Sequence, residues 1–150
     1  MQVEKNIFLV RHAQTILNAE QVLQGQSFDS DLSNEGIIQA ELFYSNFKHI
    51  SFDKIYISGL RRAFDSVKRF VETKVPVEII QELIEINWGI IEGNKFVDET
   101  KKLYLETITS WKNGDYNAKI ENGESAIDVA HRLKKVVDTI LRKETEKNIL

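Results

Sequence analysis

Arg11-His12 follows directly on the apolar run Ile7-Phe8-Leu9-Val10, and it is the first place in the chain where side chains suited to chemistry stand together. Ser58 and Arg62 come just after a second apolar run, Lys54-Ile55-Tyr56-Ile57, and Glu85 a few residues after a third, Val77-Glu78-Ile79-Ile80. Phosphoryl transfer through a covalent intermediate needs a nucleophile, cations that neutralise the phosphoryl oxygens, and an acid for the leaving oxygen. Neutral imidazole is a nucleophile near pH 7, and neighbouring arginines keep it neutral by disfavouring a further positive charge. The planar guanidinium presents two N–H donors to two phosphate oxygens at once. A carboxyl group beside such a site donates a proton or accepts one from water. His12, Arg11, Arg62 and Glu85 supply these types.

These residues are useful only if the chain brings them together. The three apolar runs are short and rich in β-branched and aromatic residues, so they read as strands, the first buried on both faces. Ile37, Ala40, Tyr44 and Phe47 recur at helical spacing behind Ser33 or Asn34 as N-cap. Ala63, Phe64, Val67, Phe70 and Val71 form a second helical stripe opening at Arg61-Arg62. Two positive charges at a helix start oppose the helix dipole, and an anion nearby would relieve the conflict. Val97 to Trp111 predicts a third helix, closed by Asn113-Gly114-Asp115. From Glu124 a long amphipathic helix is expected, with Ile127, Ala130, Leu133, Val137, Ile140 and Leu141 on one side. At Asn148-Ile149-Leu150 another strand begins. Alternating strands and helices predict an α/β fold with a mostly parallel central sheet flanked by helices. Ligands in such folds gather at the carboxyl ends of the strands, where Arg11, His12, Arg62 and Glu85 fall. Glu85 itself, between Ile84 and Ile86, stands on a strand-like stretch.

A chain of 150 residues predicts one domain over 1–150. The net charge of -3 argues against a nucleic-acid partner. Arg132, Lys134, Lys135, Arg142 and Lys143, interleaved with acids, read as a solvated helix face. The absence of cysteine excludes a thiolate metal site and a cysteine nucleophile, and fits a cytoplasmic location. No apolar run is long enough to predict a membrane span. Arg-His in place of a G-x-G-x-x-G after the first strand disfavours a dinucleotide-binding site.

Several ordered blocks carry a family resemblance. Arg11-His12-Ala13-Gln14-Thr15 with Asn18 resembles the Arg-His-Gly-x-Thr-x-x-Asn signature of the histidine phosphatase superfamily, the phosphoglycerate-mutase-like enzymes. Gln24-Gly25 is similar to the pair that follows it, and Leu32-Ser33-Asn34-Glu35-Gly36 with Gln39-Ala40 to the next helix start. Ser58-Gly59-Leu60-Arg61-Arg62-Ala63 resembles Ser-x-Leu-x-Arg-Ala, Leu83-x-Glu85 the acid/base segment closing on Glu92-Gly93, and Gly123-Glu124-Ser125 with Asp128 and Arg132 the late helix start. Ala13 and Ser66 stand where the family usually has Gly and Thr.

The resemblance implies a phosphoglycerate-mutase-like fold and a phosphomonoester hydrolase. His12 would take the phosphoryl group of a small phosphorylated metabolite, with Glu85 as acid and base. Arg11 and Arg62 would hold the phosphoryl oxygens, and Thr15, Asn18, Gln24 and Gly25 would help bind phosphate or substrate. It requires no metal or organic cofactor. The short stretch between Gly93 and Gly123 favours hydrolysis over mutase chemistry, and residues around Phe96 to Asn122 are expected to set specificity. The family's second catalytic histidine lies on a later central strand, in a Val-Ser-His-Gly segment. Here Asn148-Ile149-Leu150 matches only the approach to it, and neither His49 nor His131 occupies a matching position. The expectation is that these residues are the N-terminal portion of a longer domain, with a non-catalytic phosphate-binding module as the alternative.

Overall fold

The computed structural model describes residues 4–150, and its four strands are all parallel. β1 (Asn6–Ile7) pairs with β4 (Asn148–Ile149), and β2 (Ile55–Ile57) pairs with β3 (Val77–Ile79). A parallel bridge from Lys54 to Ile149 joins the two pairs, giving the order β1-β4-β2-β3. The last segment of the chain thus lies between β1 and β2, with Ile149 and Leu150 buried. Phe8 donates its N–H to Ile149 and Tyr56 donates its N–H to Leu150, at 2.8 Å each.

The helices are α1 (Ile16–Ala19), α2 (Asn34–Phe47), α3 (Arg61–Glu72), α4 (Asp98–Lys112) and α5 (Ala126–Leu141). α2 and α3 pack together on one face of the sheet over an aromatic core in which Phe52 and Phe70 meet edge to face at 5.4 Å. Phe8, Phe43 and Phe47 close this core. α5 covers the other face through Val136 and Ile140, against Ile149 and half-buried Tyr56, Ile80 and Leu83. Ser33 caps α2 through the Gly36 N–H, as its position before the apolar stripe predicts. Ser125 and Asp128 form a reciprocal capping box on α5, and Thr15 and Asn18 form another on α1.

Three expectations are corrected. The first strand is not buried on both faces: only Asn6–Ile7 is paired, and Leu9 is 93% exposed. Phe8, Val10, Ile57 and Ser58 line an apolar cleft of about 480 Å³. The α5 stripe is also rotated. Val137 and Leu141 are exposed, while the buried row runs through Val136 and Ile140. Glu85 stands on no strand but on an irregular segment after the 3₁₀ turn Gln81–Leu83. No helix among the described residues is long and apolar enough to cross a membrane.

Candidate active site

A cavity of about 880 Å³ opens beyond the carboxyl ends of β1 and β2, the end of the sheet where α/β folds gather ligands. Arg11, His12, Asn18, Gln24, Gly25, Arg62 and Glu85 all line it. Among the residues that the family resemblance assigns to catalysis or phosphate binding, only Thr15 lies outside the wall. It is fully buried behind it, where its hydroxyl accepts the Asn18 N–H and donates to Gln24 Oε1 at 2.5 Å. Its place in the structure is therefore to hold α1 and Gln24. His49 and His131 are exposed and line no part of the cavity, so His12 is its one imidazole among the described residues.

His12 is half-buried, and its Nδ1 meets the Ala13 carbonyl at 2.8 Å. A carbonyl only accepts, so Nδ1 carries the proton, and the neutral ring keeps its lone pair on Nε2. Burial holds the imidazole below its ordinary value of 6.5. The Ala13 carbonyl opposes that shift, the Arg62 and Arg11 guanidiniums add to it, and the Glu85 carboxylate opposes it. The His12 loop is tied to α3 by Ser66, whose Oγ accepts the Ala13 N–H at 2.8 Å and donates to the Arg62 carbonyl at 2.7 Å.

Arg62 is 1% exposed, on the first turn of α3. Its guanidinium donates to the Gly25 carbonyl at 2.7 Å, the Phe28 carbonyl at 2.9 Å and Asp29 Oδ1 at 3.1 Å. Its Nε is buried and has no partner among the described residues. Asp29 also accepts the Arg61 N–H at 2.5 Å and the Arg62 N–H at 3.4 Å. This carboxylate is the anion that a helix opening on two arginines calls for, and it substitutes for the absent side-chain cap at Leu60. Arg61 is exposed and pairs with Asp31 at 2.7 Å.

Two carboxylates that hold the walls were not legible as such in the sequence. Glu92 is buried and accepts three backbone N–H bonds, from Trp88 at 2.7 Å, Ser27 at 2.8 Å and Gln26 at 3.0 Å. It binds the loop of Gly25 to the turn of Trp88. Glu124 accepts from Arg132 Nε at 2.8 Å and from the Asn87 N–H at 2.9 Å. Arg132, expected on a solvated face, is instead half-buried, with its guanidinium also donating to the carbonyls of Glu82, Ile84 and Glu85. The correction has a plain cause: the segment bearing Glu85 has no strand partner, so its carbonyls take their donors from α5. The motif Gly123-Glu124-Ser125 with Asp128 and Arg132 marks the helix start, but not that Glu124 and Arg132 pair with each other.

The family model of the histidine phosphatase superfamily (branch 1) matches residues 7–150, and the chain belongs to that superfamily. The chain is 30% identical over 146 residues to Phosphoserine phosphatase 1 of Hydrogenobacter thermophilus, covering 96% of this chain and 68% of that protein. It is 30% identical over 136 residues to the protein named "Probable phosphoglycerate mutase GpmB" of Yersinia pestis, covering 90% of this chain and 62% of the relative. The chain thus spans about two thirds of the length of these curated relatives. The crystal structure of the alpha-ribazole phosphatase from Shigella flexneri superposes with a TM-score of 0.77 at 27% identity, over 94% of this chain and 69% of that one. The expected phosphoglycerate-mutase-like α/β fold is the fold found.

Proposed function

We propose that the cavity binds a small phosphomonoester and that His12 takes its phosphoryl group and passes it to water. The observation that carries this reading is the His12 ring itself: proton on Nδ1, lone pair on Nε2, held neutral beside two arginines. Nε2 attacks phosphorus, the P–O ester bond breaks, and the leaving oxygen takes up a proton, with Glu85 as the acid beside it on the cavity wall. The phosphoimidazole is cationic, and the Nδ1–H bond to the Ala13 carbonyl disperses that charge. Water then attacks phosphorus, Glu85 takes a proton from it, and the N–P bond breaks to return His12. Arg11 and Arg62 stand on the wall that takes the phosphoryl oxygens, with Asn18, Gln24 and Gly25 beside them. Thr15 supports Gln24 from behind.

Hydrolysis rather than isomerisation is supported by the compact stretch from Gly93 to Gly123, which holds the single helix α4. The relative named as a mutase keeps phosphoryl transfer between metabolites as the second reading. Incubation with ³²P-labelled phosphomonoesters, followed by alkaline gel electrophoresis, tests the proposal. An acid-labile, alkali-stable label on His12, absent in His12→Asn, is the expected result. Release of phosphate undiminished in His12→Asn would overturn it.

A further inference from the structure

We propose that the substrate is a phosphomonoester whose alcohol half carries a ring, packed against an aromatic wall formed by Trp88, Phe96 and Tyr104; this rests on the phosphate-site reading of His12. The cavity is far larger than a phosphoryl group, lying toward the upper end of the range of roughly 300–1,000 Å³ typical of small-molecule sites. Arg11 and Arg62 line it together with His12, Lys101 and residues 21–23 also contribute, and the three aromatic residues line another part of the wall. Their rings contact one another, Tyr104 standing 4.7 Å from Trp88 and edge to face with Phe96 at 5.2 Å. None of the three is fully buried, so ring surface remains open to a ligand. The rings stand at 53° and 82° to one another, so each offers its own face or edge. Such aromatic surface rewards a ring by stacking and offers a short acyclic polyol little.

The wall is also built to stay in place. Glu92 holds the Trp88 N–H at 2.7 Å and ties it to the loop of Gly25. The Phe96 N–H donates to the Gln21 carbonyl at 2.6 Å, and Val22 bridges Lys95. The aromatic side is thereby stitched, strand-fashion, to the same 21–25 segment that supplies the phosphate side. Stacking on a fixed surface loses little conformational entropy on binding.

Titration calorimetry of the whole chain with adenosine 5′-monophosphate, ribose 5-phosphate and glycerol 3-phosphate tests this without requiring turnover. All three are phosphate esters of primary alcohols, so the phosphate end is matched. Ring-bearing ligands are expected to bind about tenfold or more tighter than glycerol 3-phosphate, the scale of one stacked ring. Phe96→Leu and Tyr104→Leu, which keep apolar bulk and remove a ring face, should bring the affinities together. Preference for the nucleotide alone assigns an aryl ring, and preference for both assigns a sugar. Equal affinities for all three would overturn the ring proposal while leaving the phosphate site standing. Binding of none of them, with inorganic phosphate also silent, would overturn both. A preference that survives both leucine variants would overturn the assignment to this wall.

Discussion

Replacing Arg132 by Ala removes the contacts that hold the Glu85 segment. The guanidinium meets Glu124 through two N–H bonds, at 2.8 and 3.1 Å, and donates to three carbonyls between 2.6 and 3.2 Å. The paired side chains are 16% and 21% exposed, so the pair lies between the surface and the interior. Breaking a fully buried pair costs about 3–5 kcal/mol, and an exposed one about 0–1 kcal/mol. Glu124 retains the Asn87 N–H and the Gln26 amide, which limits the cost of leaving it unpaired. A loss of about 2–3 kcal/mol follows. At about 2–4 °C per kcal/mol for a domain of this size, the midpoint should fall by roughly 4–12 °C. Differential scanning calorimetry and urea unfolding measure it, with a double-mutant cycle against Glu124→Gln. A coupling above about 0.5 kcal/mol is expected, because residues in one hydrogen-bond network do not add. Lysine at 132 should recover only part, since one ammonium cannot span the carboxylate and three carbonyls. A change below about 0.5 kcal/mol, the ordinary surface range, would refute the claim that Arg132 anchors this segment.

Other expectations follow from the same geometry. The His12 imidazole, held below its ordinary value of 6.5 chiefly by burial, should titrate below that value in an NMR pH series, and Arg11→Ala should move it upward. Because the unfolded state takes up the proton first, the stability His12 contributes is present above about pH 6.5 and is lost as pH falls through its folded value. Urea unfolding of wild type and His12→Asn across that window checks the sign. Gly25→Ala should cost about 2–4 kcal/mol, because φ is +75° and the new Cβ falls on the Glu92 carboxylate. Gly114→Ala, also at positive φ but with open space around it, should cost only about 1–2 kcal/mol. Equal losses in thermal melts of the two would remove the clash from the argument. Asp29→Asn should weaken both the α3 start and the Arg62 clamp by about 1–2 kcal/mol. Unchanged melting would count against Asp29 as the cap.

The order of the elements and the residues gathered at their ends were legible from sequence because both are local. Hydrophobic period marks α2, α3 and α4 within a residue or two of their observed limits, and Ser33 caps where its type and position require. Motif spacing put Arg11, His12, Arg62 and Glu85 at the ends of apolar runs, and a strand end is a fixed place in a parallel sheet. What the tertiary structure decided is whatever depends on partners distant along the chain. Local pattern marks Ile7 to Val10 as buried on both faces, but burial depends on what packs against each face, and Leu9 stands exposed. Arg132 reads as part of a solvated helix face until it is seen to donate to the carbonyls of Glu82, Ile84 and Glu85. Thr15 changes from an expected ligand to a buried support because Gln24 folds back onto its hydroxyl. Asp29 is foreshadowed only as a need for an anion near Arg61-Arg62, and the choice among nearby acids comes from how the 25–29 loop crosses the start of α3. Residue type and spacing determine which chemistry is available, while long-range hydrogen bonding determines which of those side chains remain free to perform it.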